Sequence, residues 1–351
     1  MPEDPFKSFK FILDIDEILE IAFNRANKQA RTKKRSVSYL NNLKNNEIKK
    51  IEVAFKYVND YLLNIVKSVP DLSKLHPFYY ELSEILVSND QLKKKLGRIT
   101  GILRVLDKLE RQHINQIKKQ NNPNQVKDTR KSAFGRMKSV LDKLDKDFKY
   151  LQTARKKLRS LPMINQSIPS IVFAGYPNVG KSSCINLLCG TKIKVAQYPF
   201  TTKEIKVGTY KDGVSKAQLI DTPGVLDRPM SQRNEIELQA ITALKYIAKV
   251  IFFVIDPSVH CGFNVDEQVN LFLEIKELFQ ETQINIVINK IDLIEKDFIK
   301  ESMERLKTHS KDNFILFSAK SGEGMDVLKT NINLISDKFQ KQKMETELDF
   351  R

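Results

Sequence analysis

Nine residues constrain this chain more than any others: Gly175 to Ser183, GYPNVGKSS. They follow an apolar run, SIVFA, and open a second one, CINLLCG. The pattern G-x-x-x-x-G-K-[ST] therefore stands between a strand and a helix, the order in which it works as a phosphate-binding loop. Gly175 and Gly180 let the backbone wrap tightly, so that N–H groups converge on an anion. The N-terminus of the following helix adds a favourable dipole. Lys181 is placed to reach the β- and γ-phosphates of a nucleotide and Ser182 to ligate Mg²⁺. Asn178, Val179 and Ser183 complete the cradle.

Three shorter motifs follow in order. In LIDTPG, Leu219 to Gly224, Asp221 ends an apolar strand and can hold Mg²⁺ through water. The Gly224 N–H can bond a γ-phosphate. In INKID, Ile288 to Asp292, the Asp292 carboxylate can accept from guanine N1–H and the exocyclic amine together. Adenine offers no such donor pair, and the wrong base leaves the carboxylate poorly paired. Asn289 can fix the loop, and the Lys290 stem can cover the base plane. In SAKSGEG, Ser318 to Gly324, Ser318 and Ala319 supply backbone donors near a guanine oxygen and Lys320 flanks the ring. Each motif is weak alone; four in this order point to one guanine-nucleotide site.

In this order the motifs resemble those of the translation-factor-type GTPases. GYPNVGKSS together with KVAQYPFTTKEIKVGTY, Lys194 to Tyr210, resembles the Obg–Nog family more closely. Upstream, KDTRKSAFGRMKSVLDKLDKDFKYLQTARKKLRSLP runs directly towards the strand before the phosphate loop and is similar to the Nog branch. The resemblance thus covers nearly the whole chain. It implies GTP as substrate, GDP as product and Mg²⁺ as cofactor. It gives catalytic roles to Lys181, Thr202 and Gly224, with Thr201 the alternative to Thr202. It gives Mg²⁺ contacts to Ser182, Thr202 and, through water, Asp221. Neither a Gly-rich Obg domain, a ubiquitin-like domain nor a long C-terminal extension is visible, so a compact, archaeal-type member is expected.

Val225 follows the DTPG motif, where a Ras-like enzyme carries a water-orienting Gln. Valine neither donates nor accepts, so slow intrinsic hydrolysis is expected. Two remedies stay open. Asn178 matches the position at which similar potassium-activated GTPases hold K⁺, or a partner supplies the missing group.

Charge divides the chain. Residues 1–165 hold 35 Lys and Arg against 19 Asp and Glu, so the whole +16 lies there, and the remainder is neutral. Apolar residues at helical spacing predict helices around Leu13–Ala22, Leu40–Ile65, Pro77–Val87, Leu92–Ile117 and Val126–Leu158. After residue 165 the pattern changes to strands at Ser170–Ala174, Glu204–Tyr210, Ala217–Asp221, Val250–Asp256, Ile284–Ile288 and Phe314–Phe317, with helical runs between them. The fold class expected is α followed by α/β. An antiparallel helical bundle spans 1–165, a Ras-like domain with a mostly parallel six-stranded sheet spans 166–341, and a tail spans 342–351.

The bundle's clusters, Arg31–Arg35, Lys93–Arg98, Lys127–Lys131, Arg136–Lys138 and Arg155–Arg159, suit a phosphate-rich partner. Structured RNA is read largely through shape and phosphates. The family resemblance narrows this to ribosomal RNA or a large-subunit precursor, with other assembly factors as further partners. An anionic membrane surface is the rival partner, served by Phe78, Tyr79 and Tyr80 if they face outward. The function expected is a GTP-hydrolysing switch in large-subunit assembly. The alternative is a GTP-sensing scaffold, or a growth- or stress-regulatory GTPase, with little turnover on RNA or membrane. No apolar run is long enough for a transmembrane helix. The acidic start MPEDPFKSFK lacks the order of a secretory signal, and three Cys cannot frame a disulfide scaffold. A cytoplasmic monomer is expected.

Overall fold

The structure, a computed structural model, describes residues 4–29, 38–190, 193–199, 204–307 and 314–349. The chain divides into two compact units. One is formed by Pro5–Lys74 and Leu86–Arg159, the other chiefly by Leu75–Ile85 and the chain from Ser160 onward.

The first unit is helical. α1 (Ile15–Gln29) packs on α2 (Tyr39–Ser68). A short helix, α3 (Pro77–Val87), precedes α4 (Asn89–Lys119), which lies against α2. α5 (Pro123–Leu141) packs on both α2 and α4, and α6 (Asp145–Arg159) packs on α4. α5 starts where the sequence dictates: Pro123 sits at its first position, and the Asn122 side chain accepts from the Asn124 N–H. The apolar stripes meet in a core that includes Phe55, Val58, Leu62, Leu92, Leu106 and Leu151, none more than 1% exposed. The single helix expected over Val126–Leu158 is in fact two. The chain tightens into a 3₁₀ turn at Asp142–Leu144, and both Leu141 and Leu144 stay buried across it, so the apolar rhythm continues through the break.

The second unit is a seven-stranded sheet in the order β2-β3-β4-β1-β5-β6-β7. Its strands are β1 (Ser170–Ala174), β2 (Ile193–Ala196), β3 (Ile205–Asp212), β4 (Ser215–Asp221), β5 (Ala248–Ile255), β6 (Gln283–Ile288) and β7 (Phe314–Leu316). β2 and β4 run antiparallel to β3, and all other pairs are parallel. The expected count of six omits β2. That strand is a four-residue edge in which Lys194 and Val195 are exposed, so it carries no buried face to read. β1, wholly buried between β4 and β5, is the sheet's centre. The helices of this unit are α7 (Lys181–Cys189), α8 (Glu235–Ala243), α9 (Val265–Leu278), α10 (Lys296–Lys307) and α11 (Met325–Asp349).

Most of α3 belongs to this second unit, although it lies among the bundle helices in sequence. Phe78 is fully buried, and its ring lies 6.5 Å from that of Tyr198. Tyr79 donates to the Pro162 carbonyl and accepts from the Ile164 N–H. These two aromatics are therefore core; only Tyr80 is partly exposed.

Candidate nucleotide-binding site

The parallel strands β1, β4, β5, β6 and β7 end on one edge of the sheet. In such sheets, ligands gather at the carboxyl ends of the strands. All four motifs stand there. β1 leads into the phosphate loop, where Gly175 (φ 126°), Asn178 (φ 63°) and Gly180 (φ 103°) take backbone angles that make the chain curl. At Gly180 a Cβ would stand 2.1 Å from the Asn289 Nδ2. The glycine is thus required both by its conformation and by its neighbour. Lys181 is buried, and its ammonium donates to the carbonyls of Gly175 and Tyr176 at 2.7 Å each. Those bonds fold the side chain back over the loop it serves. Val179 is buried, whereas Asn178 and Ser183 are exposed.

Asp221 ends β4 opposite Phe173 of β1 and is fully buried. Ser182 Oγ donates to its Oδ2 at 2.5 Å, and its Oδ1 is buried with no hydrogen-bond partner. A hydroxyl beside a carboxylate with an unused oxygen is a hard, all-oxygen donor set. It fits Mg²⁺, which prefers one or two carboxylates together with water and phosphate oxygens. Thr202 and Thr201 lie outside the described residues. Tyr198, from the same YPFTT segment, is buried and donates to the Ala240 carbonyl at 2.6 Å.

The base-recognition motifs close around one residue. Asn289 is 1% exposed; its Nδ2 donates to the Val179 carbonyl and its Oδ1 accepts from the Ala319 N–H. Asp292 is exposed, and its carboxylate accepts from the Ser318 hydroxyl at 2.6 Å. That hydroxyl in turn accepts from the Ser321 N–H. Lys290 takes φ 63°, and its ammonium meets Asp256 Oδ2 at 2.7 Å. Lys320 is exposed.

Three contributors escaped the sequence reading. Asp256 is fully buried and accepts from the Cys261 N–H as well as from Lys290. A carboxylate ending an apolar strand was the available signal. Asp227, in the polar stretch after DTPG, is only 6% exposed and accepts from the Gly224 N–H. Arg233 is 9% exposed, and burial lowers its pKa from the ordinary guanidinium value. Val225 is buried at 2%, so the residue after DTPG faces the core. The three cysteines are buried thiols, and burial pushes Cys184 and Cys189 up to about 12. No cluster of His, Cys, Asp or Glu among the described residues could hold a metal ion by itself.

In the helical unit the basic clusters divide between two roles. Arg130 pairs with buried Glu47 at 2.7 Å, and Lys95 and Arg98 pair with buried Asp147. Lys138 meets Asp16, and Arg155 donates to the Phe9 carbonyl. These cations hold the unit together. Lys93, Lys94, Lys127, Arg136 and Lys156 are exposed. The Arg31–Arg35 cluster lies outside the described residues. Among the described residues no helix is long and apolar enough to cross a membrane.

The sheet order, the curled loop before α7 and the four motifs on one edge define a P-loop GTPase domain. Residues 6–165 match the NOG1 N-terminal helical domain, and residues 170–290 match the 50S ribosome-binding GTPase family. The chain belongs to the NOG1 family of GTP-binding proteins. It is 39% identical to protein MJ1408 of Methanocaldococcus jannaschii, over 85% of this chain and 83% of that one. It is 30% identical to nucleolar GTP-binding protein 1 of Drosophila melanogaster, over 88% of this chain and 47% of that one. It therefore spans about half the length of the eukaryotic relatives it matches. Among solved structures, a nucleolar GTP-binding protein 1 from Plasmodium falciparum is 36% identical, with a TM-score of 0.46. That match covers 54% of this chain and 96% of the other.

Proposed function

We propose that this protein is a GTP-hydrolysing switch. On this reading its basic helical unit binds ribosomal RNA, and its nucleotide state times a step in large-subunit assembly. The observation that carries the nucleotide half is Asn289, which joins the phosphate loop to the two guanine-recognition loops through one buried side chain. Lys181, Ser182 and the loop N–H groups take the phosphates. Asp292, Lys290 and the Ser318–Lys320 turn take guanine. Ser182, Thr202 and water-mediated Asp221 hold Mg²⁺, which neutralises phosphate charge when bound.

The RNA half rests on the +16 confined to residues 1–165 and on the exposed lysines and arginines that remain after internal pairs are subtracted. The family descriptions, one of them naming 50S ribosome binding, support the same partner. Other assembly factors would share that surroundings, and a cytoplasmic monomer goes with the reading.

Hydrolysis by the isolated chain is slow on this account, because buried Val225 cannot orient water. K⁺ at Asn178 or a partner supplies what is missing. The same burial favours a second reading, a GTP-sensing scaffold with little turnover. Turnover measured in K⁺ and in Na⁺, with and without large-subunit particles, separates the two. Acceleration by K⁺ or by particles supports the switch, and turnover unmoved by either leaves the scaffold. Lys181→Ala is expected to abolish nucleotide binding; undiminished GTP affinity would overturn the site.

A further inference from the structure

Gly224 has one N–H, and in this structure it is donated to Asp227 Oδ2 at 2.6 Å. That donor is the one a GTPase offers to the γ-phosphate. The carboxylate is held in place from behind. Arg233 donates to the Gly224 carbonyl and the Val225 carbonyl, each at 2.7 Å, and meets Asp227 Oδ1 at 3.4 Å. Its side chain is 1% exposed and Asp227's is 7%. One guanidinium thus holds two successive carbonyls, of Gly224 and Val225, and the anion that occupies the Gly224 N–H. The segment is tied to the phosphate loop as well, since the Gly175 N–H donates to the Leu226 carbonyl at 2.9 Å.

We propose that Asp227 is a specificity-determining residue, which competes with the γ-phosphate for the Gly224 N–H and so biases the protein towards GDP. The proposal rests on the guanine-nucleotide site described above. The physical reasoning is short. A single N–H cannot serve two anions at full strength, and two anions brought to one donor repel each other. GDP has no γ-phosphate and leaves the Asp227–Gly224 bond undisturbed. GTP must displace the carboxylate before it gains that donor. A ligand shifts a conformational equilibrium only by its differential affinity for the two states. The Asp227 bond therefore subtracts from GTP binding alone. Arg233 acts through Asp227 and is a positioning residue.

The test measures the affinities of GDP and of a non-hydrolysable GTP analogue, with Mg²⁺, for the full chain and for Asp227→Ala. The expected result is analogue affinity raised roughly ten- to a hundredfold, the range of a hydrogen bond to a charged group, with GDP affinity unchanged. Asp227→Asn keeps an oxygen for the N–H but loses the charge, and is expected to shift the ratio in the same direction by less. It carries the test if the alanine variant does not fold. Arg228→Ala, which breaks the neighbouring pair with Glu237, is expected to leave the ratio alone. An unmoved ratio in the Asp227 variants, or parallel weakening of both nucleotides, overturns the proposal. Failure of the parent chain to bind either nucleotide counts against the switch reading itself. A normal parent with an unmoved variant counts against Asp227 only.

Discussion

Asn289 Nδ2 donates to the carbonyl oxygen of Val179 at 2.8 Å, across 110 residues of sequence. The same amide's oxygen accepts from Ala319, so the phosphate loop and both base-reading loops share one buried connector. Phosphate loop and base-reading loops are thereby held in one geometry by a single side chain.

Asn289→Ala should weaken GTP and GDP together. It leaves the buried Val179 carbonyl without its partner and the Ala319 N–H without its acceptor, at a cost of ~1–3 kcal/mol in stability for each group that stays dry. Titration calorimetry and denaturant unfolding read the two effects. Weakening of GTP alone would show that the connector acts on the γ-phosphate side instead.

Asp292→Asn should erode the choice of base. The Ser318 hydroxyl already orients the carboxylate, and an amide can no longer accept from both guanine donors. Preference for GTP over ATP is expected to fall by about a hundredfold or more, the scale of losing a matched pair of hydrogen bonds to the base. Competition binding with the two nucleotides checks it; an unchanged ratio would remove Asp292 from base recognition.

Asp256 never reaches the nucleotide on this account; it pins Lys290. Asp256→Asn keeps oxygen for the Cys261 N–H but loses the charge that holds the ammonium. KM for GTP should rise while kcat stays level, the signature of binding lost equally in ground and transition states. A fall in kcat at constant KM would place Asp256 in the chemistry.

Glu110, on α4, carries a carboxyl that burial pushes up to about 7. Asp107 and Glu52 add to the rise and Arg111 opposes it. The sign follows from linkage. Below the ordinary value of 4.5, folded and unfolded chains both hold the proton. From there to about 7 the unfolded chain releases it first, so stability falls as pH rises, and the penalty stays constant above. Glu110→Gln should raise the unfolding midpoint at pH 8 and leave it unmoved at pH 4. An equal gain at both would point to packing.

Much of this was legible in the residues. The four motifs placed Lys181, Ser182, Asp221, Asn289 and Asp292 on one sheet edge, because each motif stands at the end of an apolar strand and parallel strands end together. β1 was read to the residue because its five positions are all apolar or small and all buried. Three things were not legible. β2 hides because an exposed edge strand has no alternation to show. α3 joins the second unit through Phe78 and Tyr79, a contact no local pattern announces. Asp227 and Arg233 lie in a polar stretch that looks solvated; only the folded chain shows them buried against Gly224.

The most direct measurement is co-sedimentation of the full chain with large-subunit precursors, in a non-hydrolysable GTP analogue and in GDP, over a series of salt concentrations. Binding should be stronger with the analogue. It should weaken steeply with salt in both states, as phosphate contacts from the exposed lysines and arginines require. Equal binding in the two nucleotide states, or none in either at moderate salt, would contradict a switch that acts on the ribosome through this basic unit.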